Sequence, residues 1–237
     1  MRNLTALIAI PAFVFGTVSL ASAADLTPPP AMPSKAPPVY YAPPPFSWTG
    51  FYLGGNLGWG WTSGNGTITI GGASGPISGS GNGFLGGVQG GYNWQASHWV
   101  FGLEGDFQGS TGSGDLNGSA GKTTITGTLK TPWFATFRGR VGYAANRWLY
   151  YVTGGGVYGH ATYDGTLSTT GPFSSSTDYL TWTLGGGVEA ALWGPWSAKL
   201  EYLYIGTPDK MPVPPGTTDL TGSVGTSIVR AGLNYRF

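Results

Sequence analysis

The 237-residue sequence contains no cysteine, so it can form neither a disulfide nor a thiolate metal site and offers no thiol nucleophile. Charge is scarce as well. Asp, Glu, Lys and Arg together supply 9% of the residues, and the formal net charge of +1 leaves no basic footprint for nucleic acid. Past residue 23 there is no run of about 18 apolar residues, which argues against helical membrane spans. There are two histidines, His98 and His160. What fills the chain in their stead is 43 glycines, 10 tryptophans, 13 tyrosines and 11 phenylalanines.

Two leading segments stand apart from the rest. Residues 1–23 read as a secretory signal: Arg2, a mostly apolar run from Leu4 to Leu20, then Ala21, Ser22 and Ala23. Pro11, Gly16, Thr17 and Ser19 interrupt a run already short for a transmembrane helix. Residues 24–46 carry prolines at 28, 29, 30, 33, 37, 38, 43, 44 and 45. Proline lacks an amide donor and favours extended polyproline II, so this segment is expected to be a semi-rigid periplasmic linker or wall-contacting tether, with peptidoglycan as its candidate partner. Residues 47–237 suit one domain.

That domain has a period of two. In residues 228–237, Val229, Ala231, Leu233, Tyr235 and Phe237 form an apolar row, while Arg230, Gly232, Asn234 and Arg236 form a polar or small one. A strand patterned this way must bury its apolar face, and lipid can cover it in a closed transmembrane barrel, where each crossing takes roughly 9 to 11 residues. The same alternation recurs in residues 48–61, 83–94, 99–109, 132–144, 148–159, 179–192 and 196–205. Residues 148–159 are apolar on both faces; Trp148, Tyr150 and Val152 are placed outward.

The connections alternate long and short. Residues 62–82, 110–131, 160–178 and 206–222 are long, and 95–98, 145–147 and 193–195 are short. Long outer loops, short periplasmic turns and an even strand count describe an all-β, eight-stranded antiparallel up-and-down transmembrane β-barrel, with both ends in the periplasm. The outer connections, rich in Gly, Ser, Thr and Asn, are expected to be mobile and dispensable for folding. Pro76, Pro172, Pro195, Pro208, Pro212, Pro214 and Pro215 are placed in connections, and Pro132 at the opening of a strand. All ten tryptophans fall near strand ends, as interfacial girdles require: Trp48, Trp94, Trp99, Trp148, Trp193 and Trp196 periplasmic, Trp59, Trp61, Trp133 and Trp182 external.

By parity the lumen receives Glu104, Asp106, Glu189 and Glu201 against Arg138, Arg140, Lys199 and Arg230. Facing lipid near the midplane, an Arg or Lys costs roughly 2 to 4 kcal/mol, so any folded barrel sequesters such charges. An eight-stranded barrel is just wide enough for its own side chains, and the reading is a plug of paired charges in preference to an ion path. Signals for catalysis fail in turn. His98 and His160 fall on opposite membrane faces and cannot share a metal or relay. Gly154, Gly156 and Gly159 match a dinucleotide-binding spacing but no helix follows them. Glu104 and Asp106 have Arg138 and Arg140 as ready structural partners. No catalytic residue, metal or cofactor is assigned.

The stretches WTGFYLGGNLGWGW (48–61), GFLGGVQGGYNWQ (83–95), WVFGLEGDFQGS (99–110), FRGRVGYA (137–144) and the closing LNYRF resemble the porin-like outer-membrane barrels of alphaproteobacteria, the 25/31-kilodalton outer membrane protein group. The resemblance implies an envelope protein in the outer membrane of a Gram-negative bacterium, concerned with membrane integrity and host interaction and, in some relatives, with haemin. It carries over no catalytic residue. Leu233, Tyr235 and Phe237 also resemble the signal read by the outer-membrane assembly machinery. The partners implied are outer-membrane lipid, lipopolysaccharide and that machinery. A small-solute pore is the competing reading, for which inward glycines at 54, 58, 60, 87, 91 and 155 would leave the lumen open.

Overall fold

The computed structural model describes residues 46–237; the expected signal segment and all but the last residue of the proline-rich segment lie outside the described residues. Nine strands follow in order: β1 (Gly50–Ile70), β2 (Ala73–Ala96), β3 (Trp99–Ser110), β4 (Ser113–Ala120), β5 (Thr123–Ala145), β6 (Trp148–Leu167), β7 (Gly171–Ala191), β8 (Trp196–Ile205) and β9 (Thr217–Arg236). Their order in the sheet is β1-β9-β8-β7-β6-β5-β3-β2, and pairing of β1 with β2 closes the ring. β3 and β4 lie end to end between the same neighbours, β2 and β5. The nine strands therefore make eight antiparallel staves. Closure leaves no strand edge, which is what allows a sheet to sit in hydrocarbon with every ladder bond made.

Alternation along each stave sorts the side chains. On β1, Phe51, Leu53, Leu57, Trp59 and Trp61 point out, while Tyr52 and Asn56 are buried inside. On β6, Trp148, Tyr150 and Val152 point out and Leu149, Tyr151 and Thr153 point in. The outward apolar band on β1 spans Phe51 to Trp61, the length one tilted crossing needs. Aromatic rings edge it at both rims, with Trp94, Trp99 and Tyr143 at the inner one and Trp59, Phe84, Phe107 and Tyr158 at the outer one.

The staves run on past the outer rim, where the sequence pattern leads one to expect loops. β1 and β2 pair without a break to Ile70 and Ala73, turning at Gly71 and Gly72, whose φ values of +57° and +83° suit a two-residue hairpin turn. β4 with β5, and β6 with β7, form comparable hairpins. Of the four long connections only the last has an extended stretch without strand structure, residues 206–216. The extension has its own apolar cluster of Ile68, Ile77, Ala120, Ile125 and Tyr163. These inward residues are spaced among Gly, Ser and Thr, so the period of two is carried by too few large side chains to stand out. The outer connections are largely strand hairpins, which corrects the expectation that they are loops.

Two further expectations are corrected. Trp48 is not part of a membrane girdle. It precedes β1, is 1% exposed and packs with Val100, Ala144, Leu149, Tyr151 and Ala191 inside the periplasmic mouth. Gly50 permits this turn inward with φ +138°, and the Trp48 amide donates to Gln95 Oε1 at 2.7 Å. Pro132 lies within β5, where the register with β6 shifts between Lys130 and Trp133; a bulge tolerates a residue that cannot donate to the ladder. Pro76 and Pro172 likewise lie in strands, paired with Thr67 and Thr166. Pro76 falls outside the part of β2, Ile77 to Asn82, that β4 pairs.

Candidate functional site in the barrel lumen

The lumen is layered. At the periplasmic mouth sits the apolar group around Trp48 and Leu149. Above it lie Glu104, Asp106, Arg138, Arg140, Glu189, Lys199, Glu201 and Arg230, contributed by β3, β5, β7, β8 and β9 and all nearly fully buried. Next outward is a second apolar group, including Leu85, Phe134, Val157, Tyr179, Leu203, Ile205 and Ile228.

The eight charges form one connected network. Arg138 reaches three carboxylates: Glu104, Asp106 at 2.8 Å and Glu201 at 3.2 Å. Arg230 Nη2 lies 2.6 Å from Glu201 and 3.0 Å from Asp106. Lys199 Nζ donates to both oxygens of Glu104 at 2.9 Å, and Arg140 Nη1 lies 3.2 Å from Glu189. Arg138 faces Glu104 across the β3–β5 ladder, and Glu201 faces Arg230 across β8–β9. The contact from Arg138 to Glu201, by contrast, crosses the lumen between staves that are not neighbours. A buried ion is tolerated when its remaining hydrogen-bonding sites are also filled.

Neutral groups fill most of the remaining sites, while Arg140 Nη2 and Arg230 Nη1 have no hydrogen-bond partner. Tyr52 donates to Glu104 at 2.7 Å and Tyr151 to Glu201 at 2.9 Å. Ser197 and Asn234 donate to Glu189 at 2.6 and 2.9 Å, and Thr136 to Asp106 at 2.7 Å. The Arg140 guanidinium lies over both tyrosine rings, 4.8 Å from the centroid of Tyr52 and 5.3 Å from that of Tyr151, and its Nε donates to Asn93 at 2.8 Å. Sequence parity places Tyr52 in the lumen but does not disclose its partner. Both tyrosines reach over the neighbouring stave to the next one because their ladder partner there is glycine: a Cβ at Gly187 would lie 2.8 Å from Tyr151 Oη, and one at Gly91 would lie 2.5 Å from Tyr52 Oη. Inward glycines thus seat large side chains here, with Gly91 receiving Tyr52 where an open path was one expectation.

The histidines are separated. His98 lies in the exposed β2–β3 turn and stacks on Tyr143. His160 lies within the outer half of β6, its Nδ1 2.7 Å from Asp178, with its ring stacked against Trp133. Further out, the Ser174 hydroxyl and the Lys130 ammonium hold the Asp164 carboxyl below its ordinary range. Leu233, Tyr235 and Phe237 stand in an outward row on the last stave. The Phe237 amide donates to Phe51 O at 2.9 Å, and its ring meets Tyr235 edge-on at 5.2 Å.

A closed eight-stave barrel with a lipid-facing apolar belt and a charged, packed interior is an outer-membrane β-barrel protein. Comparison with known proteins agrees: the chain belongs to the outer membrane protein beta-barrel domain family, whose model matches residues 41–237. It is similar to the 31 kDa outer-membrane immunogenic protein of Brucella melitensis biotype 1, with 35% identity over 214 residues covering 81% of this chain and 85% of that protein. It is also similar to the 25 kDa outer-membrane immunogenic protein of Brucella abortus biovar 1, at 30% identity over the full length of both. Among solved structures, the outer membrane protein OprG from Pseudomonas aeruginosa matches 80% of this chain and 96% of its own with a TM-score of 0.51 and 14% identity, a likeness of fold alone. The protein is one of the outer membrane of a Gram-negative bacterium.

Proposed function

We propose that this barrel is a non-enzymatic envelope protein that supports outer-membrane integrity and presents its outer hairpins for surface interaction, with a lumen plugged by paired charges. The observation that carries the reading is the balance of the network: four carboxylates and four cations, all buried and interconnected through contacts between 2.6 and 3.8 Å and the shorter Arg138 to Glu104 pair. An aqueous channel would leave such groups wet and separately solvated. Outer-membrane lipid and lipopolysaccharide are the partners of the aromatic-edged wall. The assembly machinery is the reader of Leu233, Tyr235 and Phe237, and peptidoglycan is the partner of residues 24–46.

Planar-bilayer recording on refolded protein tests the plug. No stepwise conductance is expected in symmetric salt, and reproducible unitary steps would replace this reading with a small-solute pore. The haemin reading implied by the resemblance turns on a different group, His160, and predicts a haem absorbance shift that His160→Ala removes.

A further inference from the structure

The ring of staves is closed through the membrane, but above the outer rim one stave is incomplete. β6 pairs with β7 as far as Leu167 and Gly171, and β1 with β9 as far as Ile70 and Thr217. Between β7 and β9, however, β8 reaches only to Ile205, opposite Thr183 and Thr226. Elsewhere in the wall the same shortfall is made good: where β3 stops, the eight residues of β4 continue its line between β2 and β5. Among the described residues no strand continues β8. The chain that follows it, residues 206–216, carries Pro208, Pro212, Pro214 and Pro215, which have no amide to give to a ladder. This segment spans only the base of the gap. There the Asp209 amide donates to Leu180 O at 2.9 Å, the Leu180 amide donates to Asp209 Oδ1 at 2.7 Å, and the Thr207 hydroxyl bonds the Val224 backbone on β9. Met211, Pro212, Val213 and Pro214 then line a cavity of about 400 Å³ in the outer part of the barrel.

Which backbone groups are left over follows from the alternation of an antiparallel strand, whose successive residues bond to opposite sides. Leu180 and Trp182 turn their backbone groups toward residues 206–209, so Ser174, Ser176 and Asp178 face the same side, above the last of those bonds. Among the described residues no ladder partner meets their amides and carbonyls from that side. Pro172 also faces it and ends the run, since it has no amide. The charges around this edge have one sign in excess. Asp178, braced by His160 at 2.7 Å, and Asp209 stand at its base, and the exposed Asp219 lies on β9 across the gap. Against them stands Lys210, because Lys130 is taken up by Asp164 at 3.3 Å.

An unpaired edge in water is a template for another strand. We propose that residues 171–178 dock an extended basic peptide from outside the cell, about as long as the eight residues of β4, which adds antiparallel to β7 in the line of β8 as β4 does in the line of β3. Its backbone meets the amides and carbonyls of Ser174, Ser176 and Asp178, and its outward lysine or arginine side chains face Asp178 and Asp219. This inference rests on the surface-interaction part of the proposed role and gives that role a site and a kind of partner. It does not depend on whether the charged layer conducts.

The test is amide hydrogen exchange, read by NMR on refolded protein in lipid nanodiscs, with and without a capped octapeptide that alternates lysine and valine. In the free protein the amides of Ser174, Ser176 and Asp178 should exchange fast while those of Ser175 and Thr177, turned toward β6, are protected. Equal protection of all five would mean that the edge is already taken and would overturn the site. The peptide should slow the three edge amides saturably, by at least about ten-fold, and a glutamate-for-lysine counterpart should bind roughly ten-fold more weakly. Ser176→Pro removes one edge amide without breaking a bond to β6, and should abolish the protection. Should that variant not fold, the octapeptide N-methylated at every residue leaves the protein untouched, and saturable protection by it would overturn strand addition. Saturable effects confined to the β1–β2 or β4–β5 hairpin would overturn this site and leave surface interaction standing, whereas no saturable effect on any hairpin would overturn both. Protection of the edge amides that grows with protein concentration in the absence of peptide would make a second copy of the chain the occupant and overturn the peptide.

Discussion

Removing Arg138 is the sharpest probe of how the lumen is held. In Arg138→Met the side chain keeps much of its length and loses its charge, so the perturbation is electrostatic. Arg138 touches Glu104, Asp106 and Glu201, but none of these is stranded by its loss. Glu104 keeps Lys199 at 2.9 Å, and Asp106 and Glu201 keep Arg230 at 3.0 and 2.6 Å. The defect is one uncompensated negative charge shared over the network, not three orphaned carboxylates. Breaking a buried pair costs about 3 to 5 kcal/mol, and the remaining cations place this variant near the lower end, at about 3 kcal/mol. Arg138→Glu adds a fifth carboxylate among the four and should exceed the upper end of that range. Arg138→Met combined with Glu201→Gln restores neutrality and should recover at least half of the loss. Urea unfolding in lipid vesicles, followed by tryptophan fluorescence and heat-modifiable gel mobility, reads all three. A loss under about 1 kcal/mol in Arg138→Met, the range of exposed pairs, would mean that water screens the network and the plug is not dry.

Three further outcomes are expected. Gly187→Val drives a side chain into Tyr151 and should break its bond to Glu201, lowering stability by about 1 to 3 kcal/mol in the same urea assay; a wild-type midpoint would mean that Tyr151 has somewhere else to go. Deleting residues 64–80 removes Ile68 and Ile77 from the outer cluster, and should open the extension to protease while the membrane-spanning staves stay resistant. Digestion of the whole chain in that deletion would make the extension part of the core. Phe237 is 78% exposed, so deleting it should spare refolding in detergent, a change on the scale of about 1.5 to 3 kcal/mol at most, while reducing outer-membrane levels in cells; normal levels in cells would remove its role in assembly.

The architecture of the membrane-spanning part was legible in the sequence because lipid imposes a simple rule there. Every second residue must be apolar over a fixed length, and aromatics mark the rims, so Phe51 to Trp61 and Val229 to Phe237 declare their facing without help from distant residues. The eight lumen charges follow from the same parity. Their pairing does not. That Arg138 joins Glu201 across the barrel while Arg140 lies between Tyr52 and Tyr151 depends on the curvature of a closed sheet, which brings together staves far apart in the chain. The same holds for Trp48, whose composition and position near a strand end suggest an interface, but whose place inside the mouth depends on the turn at Gly50. The outer hairpins were hidden for a different reason. Beyond the lipid no rule demands apolar residues at alternate positions, so Ile68, Ile77, Ile125 and Tyr163 look isolated in sequence, and only the closed register of the extended staves gathers them into the cluster that borders the cavity.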